Sequence, residues 1–411
     1  MRLILFCALV LLSGCTSCSN ELLKETPVKW EVNLEQLEQQ HFQEALTHLL
    51  PEGLIVYLKD PPGTVSELYV RAKNQADGAY FQGHLLAAVC FKYHVTKDPN
   101  MLEMAKKLWD AQHKLVTMSG YPGLIARTYG KDTPESSEYY VRKDSSGDAY
   151  SGWMFGANAF WHLIDDPERK AQIAEDLISV VKHLRKHDLH IYEDENTPTK
   201  YGTYRTPILG VPIGYYAMPI MAIATFAVKA NPDNADCQNF LAWVVEKDYH
   251  RQCEYVYEWF PHSSQNVSNY YFNAFLVWLN DPVPHRREFY KKGVEGLWKR
   301  SHAWQMALHG IIYRYISGDH YTSFIQDSID RLRNNPPYYA RRIDQEDLIK
   351  SHIKIVPMEE RPISSSIWMR DVTQQIDHNG PRQENAYARV DFLVTYWLGR
   401  YLGEYQPNAG R

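Results

Sequence analysis

Two kinds of helical segment alternate along this 411-residue chain, and the alternation leaves few ways to fold it. One kind carries a single apolar stripe. Met101, Ala105, Leu108 and Leu115 form it in 99–118, and Ile173, Leu177, Val180 and Leu184 in 168–187. Tyr321, Phe324, Ile325 and Leu332 form it in 319–334, and weaker stripes run through 33–49, 233–249 and 284–299. Apolar residues recurring every three to four positions suit a helix with one wet face. The other kind is apolar nearly all round: 80–93, 153–164, 217–228, 270–279, 303–316 and 390–402. A helix of that kind has no face to give to water and must be surrounded. Six dry helices interleaved with six striped ones predict an all-α (α/α)6 toroid of six helical hairpins, with six inner helices inside six outer ones. Closing the ring buries the inner shell without leaving an end repeat exposed.

The turns from a dry helix to the next striped one share their chemistry. They read Lys97-Asp98-Pro99, Asp165-Asp166-Pro167, Asn231-Pro232-Asp233, Asn280-Asp281-Pro282 and Ser317-Gly318-Asp319. An Asp or Asn cap followed by Pro stops one helix and starts another. Long insertions (50–63, 119–146, 188–211 and 335–384) fall at the opposite junctions, so all belong to one rim. Long connections rich in Gly, Tyr, Arg and Asp suit a cleft for a polar ligand. Strand signals are scarce. The uncharged run 206–228 is interrupted by Pro207, Pro212, Gly214 and Pro219, which favours a buried core helix over a membrane span. With 45% hydrophobic and 13% aromatic residues, the chain is not disordered. A net charge of −5 leaves no basic field for nucleic acid, and no phosphate-cradling glycine loop is visible, so no organic cofactor is expected.

The N-terminus reads as an address. Arg2 precedes an apolar stretch from Leu3 to Leu12, too short to span a bilayer and suited to a signal peptide. Leu12-Ser13-Gly14-Cys15 resembles the lipobox of bacterial lipoproteins. That resemblance implies cleavage of residues 1–14, lipidation at Cys15, a polar tether over 15–30, and a single domain over 31–411. Thr16 after the cysteine implies the outer membrane of a bacterial envelope, with the membrane reached through the lipid anchor. Of the remaining cysteines, Cys18, Cys90, Cys237 and Cys253 match no zinc spacing, and a Cys237–Cys253 bridge stays open. No metal site is expected.

Four stretches carry a further resemblance: Asp77-Gly78-Ala79-Tyr80-Phe81-Gln82-Gly83-His84-Leu85, then Gly120-Tyr121-Pro122-Gly123-Leu124-Ile125-Ala126-Arg127, then Ser146-Gly147-Asp148-Ala149-Tyr150-Ser151-Gly152-Trp153, and the run from Val390 to Tyr401. Over roughly residues 60–403 the chain resembles the six-hairpin glycosidase superfamily, in particular its uncharacterised bacterial members. The resemblance implies a carbohydrate substrate. It also places Asp77 and Asp148 where two aspartates of unsaturated glucuronyl hydrolases perform acid/base chemistry.

Asp77 and Asp148 each precede a dry helix and point to the rim that carries the insertions. A hydrolase needs one such carboxyl protonated and one ionised; the competing reading is two helix caps. Tyr121, Tyr150 and Trp153 offer rings for a sugar face, and Arg127 a two-pronged partner for a uronate or sulfate. Trp153 fits the inner shell equally well, and Arg127 an internal ion pair. His84, two turns after Asp77, reads as a core histidine or, with Tyr80, as the base and acid of a lyase. Tyr204, Arg205, Asn269, Tyr270 and Asn273 open later inner helices, either hydrogen-bonding sugar hydroxyls or capping. Arg370 with Asp371 in the last insertion fixes a loop or meets ligand, and Asp391 is expected to pair with an arginine such as Arg370. The favoured expectation is a lipid-anchored glycoside hydrolase acting on oligo- or polysaccharide, in its sharper form on uronic-acid-containing glycans. A polysaccharide lyase and a non-catalytic glycan-binding lipoprotein are the alternatives.

Overall fold

The computed structural model describes residues 33–56, 64–257, 264–302, 306–319 and 389–406, together with Ile329 and Leu332. Cys15, the signal and tether, most of the 319–334 helix, and Arg370 with Asp371 lie outside the described residues. The architecture is all-α, as the alternation predicts. The dry segments form α3 (Gly78–Thr96), α5 (Gly147–Leu163), α7 (Gly214–Ala230), α10 (Ser264–Asn280), α12 (Ala307–Ser317) and α13 (Val390–Tyr401). Each packs on the next, and α13 returns to pack on α3, which closes the ring. The striped segments form α1 (Leu34–Thr47), α4 (Pro99–Thr117), α6 (Pro167–Lys186), α8 (Ala235–Glu246) and α11 (Pro284–Ser301) around it.

The caps hold the hairpins in phase. Asp98 accepts a bond from the Asn100 amide (2.9 Å) and Asp166 one from the Arg169 amide (3.0 Å), each with Pro at the start of the helix. Two turns differ from expectation. Asn234, not Asn231, caps α8, and Asp281 turns away from capping to bind Arg286 (2.6 Å) and the Tyr290 hydroxyl (2.8 Å). The interior gives a carboxylate stronger partners here than a helix start does. Residues 206–228 end in α7, a core helix. Among the described residues no helix is long and apolar enough to cross a membrane. Cys237 and Cys253 are both buried free thiols, so the bridge left open is not formed.

Several elements were not expected. Helix α2 (Val65–Asn74) carries a short apolar stripe, legible but outside the predicted alternation, with Leu68, Tyr69 and Ala72 buried. The others are too short for a periodic signal: the four-residue α9 (Tyr249–Gln252) and two antiparallel ribbons in the insertions, β1 (Thr128–Gly130) with β2 (Tyr140–Arg142) and β3 (His190–Tyr192) with β4 (Pro198–Thr203). Helix α2 is set by a reciprocal capping box between Thr64 and Glu67.

Helices α3 and α5 meet through glycine. A Cβ added at Gly83 would lie 1.7 Å from the Gly152 carbonyl oxygen, and one at Gly152 would lie 2.4 Å from the Tyr80 Cα. Gly156 faces the Gly83 Cα in the same way, at 2.7 Å. Tyr80 meets Gly152 and Gly83 meets Gly156, so the helices run parallel and both begin at one rim. Replacing Gly83 or Gly152 by Ala is expected to destabilise the fold by roughly 3 kcal/mol or more, because backbone must yield. Gly296→Ala on outer helix α11, where the added methyl meets only the Val256 side chain at 3.3 Å, is the control. It should stay within about 1 kcal/mol of the parent in urea unfolding; equal midpoints for all three variants would contradict the packing described.

Candidate functional site

The rim at which α3 and α5 begin is built by a buried strap, Leu124–Thr128, threaded between the inner and outer shells. The Ala126 amide bonds the Leu115 carbonyl (2.8 Å) on α4, and the Arg127 carbonyl accepts the Ala79 amide (2.7 Å) at the start of α3. Ser145 donates to the Ile125 carbonyl (2.6 Å), which ties the strap to the approach of α5. The strap lays Arg127 beside Asp77. The guanidinium lies 3.4 Å from the carboxylate and also bonds the Ala76 carbonyl (2.8 Å) and the Asp144 carbonyl. Arg127 is thus an internal clamp, and Asp77 keeps a side chain 28% exposed.

Neither acid is used as a helix cap. Asp77 occupies the cap position of α3 but makes no side-chain capping bond. Ser146 caps α5, accepting from the Ala149 amide (3.4 Å). Asp148 therefore sits inside the first turn rather than ahead of the helix, and its carboxyl is released for other work. It is half-buried at the residue level, but protein atoms surround the carboxyl closely enough for burial to dominate its titration. Burial and the Asp77 charge lift its pKa to about 6, against the opposing pull of Arg127 and a hydrogen bond from the Asn269 side chain. Tyr80 lies within the field of both acids, and burial with their charges pushes its phenol well above the usual tyrosine range.

The other residues singled out in the sequence divide by position. Asn269 reaches Asp148 from α10, and Asn273 one turn on donates to Ser151 (3.0 Å) and to the Asn269 carbonyl (2.7 Å). Tyr204 donates to the Gly147 carbonyl (3.1 Å), directly behind Asp148. The hydroxyl of fully buried Tyr150 is occupied by the Gly123 carbonyl (2.8 Å) and the Ile125 amide (3.3 Å). Trp153 is fully buried, with its indole donating to the Gln112 carbonyl (3.3 Å); that is the inner-shell position. Tyr121 pairs with His187 (2.8 Å), and exposed Arg205 braces the Asp188 carbonyl (2.8 Å), both just past the C-terminal end of α6. Tyr270 donates to the Cys253 carbonyl. His84 is fully buried, bonded to the Tyr80 carbonyl (2.6 Å) and packed on Phe155 and Phe272. Burial drops its pKa to about 3, so it is a neutral core residue and a poor base near pH 7. The His84, Phe155 and Phe272 rings pack on one another across α3, α5 and α10. Asp391 feels its neighbour Arg389, which bonds Glu44 (3.0 Å) on α1.

Tyr201 was not anticipated. Its backbone pairs in parallel with Ser146, the cap of α5, and the residue is 62% exposed. Ribbon β4 is short and lacks apolar alternation, so the only signal was an unplaced tyrosine in an insertion. Among the described residues no group of three His, Cys, Asp or Glu is arranged to hold a metal.

No protein-family model and no curated protein sequence matches the chain. Among solved structures, it is similar to the Lin0763 protein from Listeria innocua, with a TM-score of 0.49 at 10% identity over 89% of this chain and 97% of that one. It is also similar to a family 76 glycoside hydrolase from a bovine Bacteroides thetaiotaomicron strain, with a TM-score of 0.32 at 11% identity over 91% and 79%.

Because the folded protein holds the Asp148 proton more tightly than the unfolded chain, this group favours folding most below about pH 4. That contribution is lost as pH rises through about 6. Asp148→Asn removes the titration. It should match the parent near pH 4 and be about 1–3 kcal/mol more stable near pH 8 by urea unfolding. A pH-independent difference would place the charge elsewhere.

Proposed function

We propose that this rim is the catalytic centre of a glycoside hydrolase that works by carboxyl acid/base catalysis. One observation carries the reading: two neighbouring carboxyls, both excused from helix capping, stand in unlike surroundings. Asp148, lifted to about 6, holds a proton near neutrality and is the general acid that protonates the leaving glycosidic oxygen. Asp77, partly exposed and ion-paired with Arg127, is the carboxylate partner that activates water or steadies the developing positive charge at the sugar. Tyr80, fully buried and kept protonated, lies in the field of both acids and shapes their surroundings rather than meeting the sugar. Exposed Tyr201, whose backbone pairs with Ser146 at the start of α5, supplies a ring of the kind suited to a pyranose face. A lyase reading loses its base, since His84 is held neutral and sealed from the recess.

Purified protein screened against oligosaccharides, uronate-containing ones included, is expected to release product. The rate should fall as pH rises through about 6, where Asp148 loses its proton. Asp148→Asn should lower turnover roughly 10²–10⁴-fold with folding intact. Undiminished turnover removes Asp148 from the mechanism, and saturable glycan binding without cleavage by the parent favours a binding lipoprotein instead.

The address is a separate proposal resting on Leu12-Ser13-Gly14-Cys15. Expressed in a bacterium fed labelled palmitate, the chain is expected to take up label and fractionate with the outer membrane, and Cys15→Ser to do neither. Equal labelling of both would end the anchor proposal.

A further inference from the structure

The amide of Asn269 lies almost wholly inside the protein and is held by one side only. Its Nδ2 donates to the Asp148 carboxyl, whereas its Oδ1 is buried with no hydrogen-bond partner. The backbone beneath is fixed: the Asn269 carbonyl accepts from Asn273 Nδ2 (2.7 Å), and Asn273 in turn is tied to Ser151 (3.0 Å), one turn past Asp148 on α5. A carboxylate needs donors and a carboxylic acid needs an acceptor; a primary amide offers both at opposite ends of one planar group. We propose that Asn269 is a positioning residue that follows the protonation state of Asp148. It presents Nδ2 to the carboxylate and turns over about its last side-chain bond to present Oδ1 to the protonated acid.

The turn breaks no other bond, because Oδ1 holds none. An arginine or lysine in this place would serve the ionised acid alone. A group that gives up and regains a proton in each cycle keeps its partner in both states with an asparagine. The inference deepens the hydrolase reading and supplies that reading's acid with an orienting partner. Among the described residues, the other groups facing Asp148 are Asp77 on the α3 cap, Tyr80 on α3, Arg127 on the strap and Tyr204 behind Gly147. Asp77 and Arg127 pair with each other and Tyr204 donates to the Gly147 carbonyl, while the Tyr80 phenol has its donor and acceptor on one oxygen rather than at the two ends of a planar group.

The test needs no substrate. In full-length protein with asparagine side chains labelled with nitrogen-15, the Asn269 amide resonance is expected to move with pH. Its midpoint should coincide with that of the Asp148 carboxyl, followed by carbon-13, and the movement should vanish in Asp148→Asn. Asn269→Leu, which keeps the volume and loses both functions, takes a partner from both protonation states. The charge-assisted bond to the carboxylate is the stronger of the two, so the Asp148 midpoint should rise by only about threefold in the protonation equilibrium. If Asn269→Leu does not fold, Asn269→Ala, which also lacks donor and acceptor, answers the same question. An Asn269 resonance that stays flat across pH 4–8, one that still titrates in Asp148→Asn, or a midpoint raised about tenfold or more, the mark of a fixed donor that serves the carboxylate alone, would overturn the proposal. Where a cleaved glycan has been found, Asn269→Leu should lower kcat and move the alkaline limb of its pH profile to higher pH with KM little changed. Absence of any cleaved glycan counts against the hydrolase reading and leaves the spectroscopic outcome to decide the role of Asn269.

Discussion

The contact that the rest of this molecule depends on is the glycine seam between α3 and α5. At Gly83, Gly152 and Gly156 no side chain separates the two helices, and backbone lies on backbone. Close approach exposes carbonyls and Cα hydrogens to each other, and the only way to keep it is to omit the Cβ. The consequence reaches the rim. Parallel helices in contact bring their first turns together, so the residues that open them, Asp77 and Asp148, fall within each other's field. A bulkier seam would move these carboxyls apart and lower the electrostatic pressure that keeps one of them protonated.

The same close packing forces the interior to satisfy its own polar groups, and the inner helices do so with side chains that staple outer segments. Gln82 donates to the Gly53 carbonyl (3.2 Å) and the Leu108 carbonyl (2.8 Å) and accepts the Ile55 amide (2.9 Å), so one residue joins α3 to the 50–56 segment and to α4. Gln112 answers from outside by donating to the Trp153 carbonyl (2.8 Å). Buried amides with their bonds made fix register as well as satisfy polarity. Asn269 Oδ1, like Gln112 Oε1, Asn158 Nδ2 and Asn273 Oδ1, is buried without a bond. What sets it apart is its place: the other end of its amide meets Asp148, a carboxyl lifted to about 6, as buried Asp391 also is.

The ring was legible in the sequence because dryness on all sides is a property of residue type alone. Segment 390–402 could lie nowhere but inside, and Asp98-Pro99 and Asp166-Pro167 mark real helix starts for a local reason. The helix starts of the inner shell were misplaced for a physical reason as well. Segment 153–164 reads apolar, but α5 begins at Gly147, because its first turn faces the recess and is built from Gly, Asp and Ser rather than from core residues. The site thus hides where the hydrophobic signal fades. Asp77, Asp148 and Asn269 were visible as residue types at the right junctions. That Ser146 and not Asp148 caps α5 was a local signal, legible but missed, since its bond reaches only the Ala149 amide. That Arg127 binds Asp77, Ala76 and Asp144 depended on long-range contacts that no local pattern encodes. Tyr201 was invisible because its ribbon pairs by backbone alone.

Trp153, Tyr150 and His84 show how an aromatic-rich motif divides its labour. All three looked available to a sugar, and all three are fully buried. Their burial still shapes the site. Tyr150 clamps the strap through Gly123 and Ile125, and the strap carries Arg127 to Asp77. His84, Phe155 and Phe272 pack on one another on α3, α5 and α10, and burial is the largest cause of the raised Asp148 pKa. A charged His84 would set a cation among these rings, and burial holds it neutral. The same physical cause thus acts on both groups: burial takes the charge from the imidazole and favours the proton on Asp148, while Arg127 clamps Asp77 beside it.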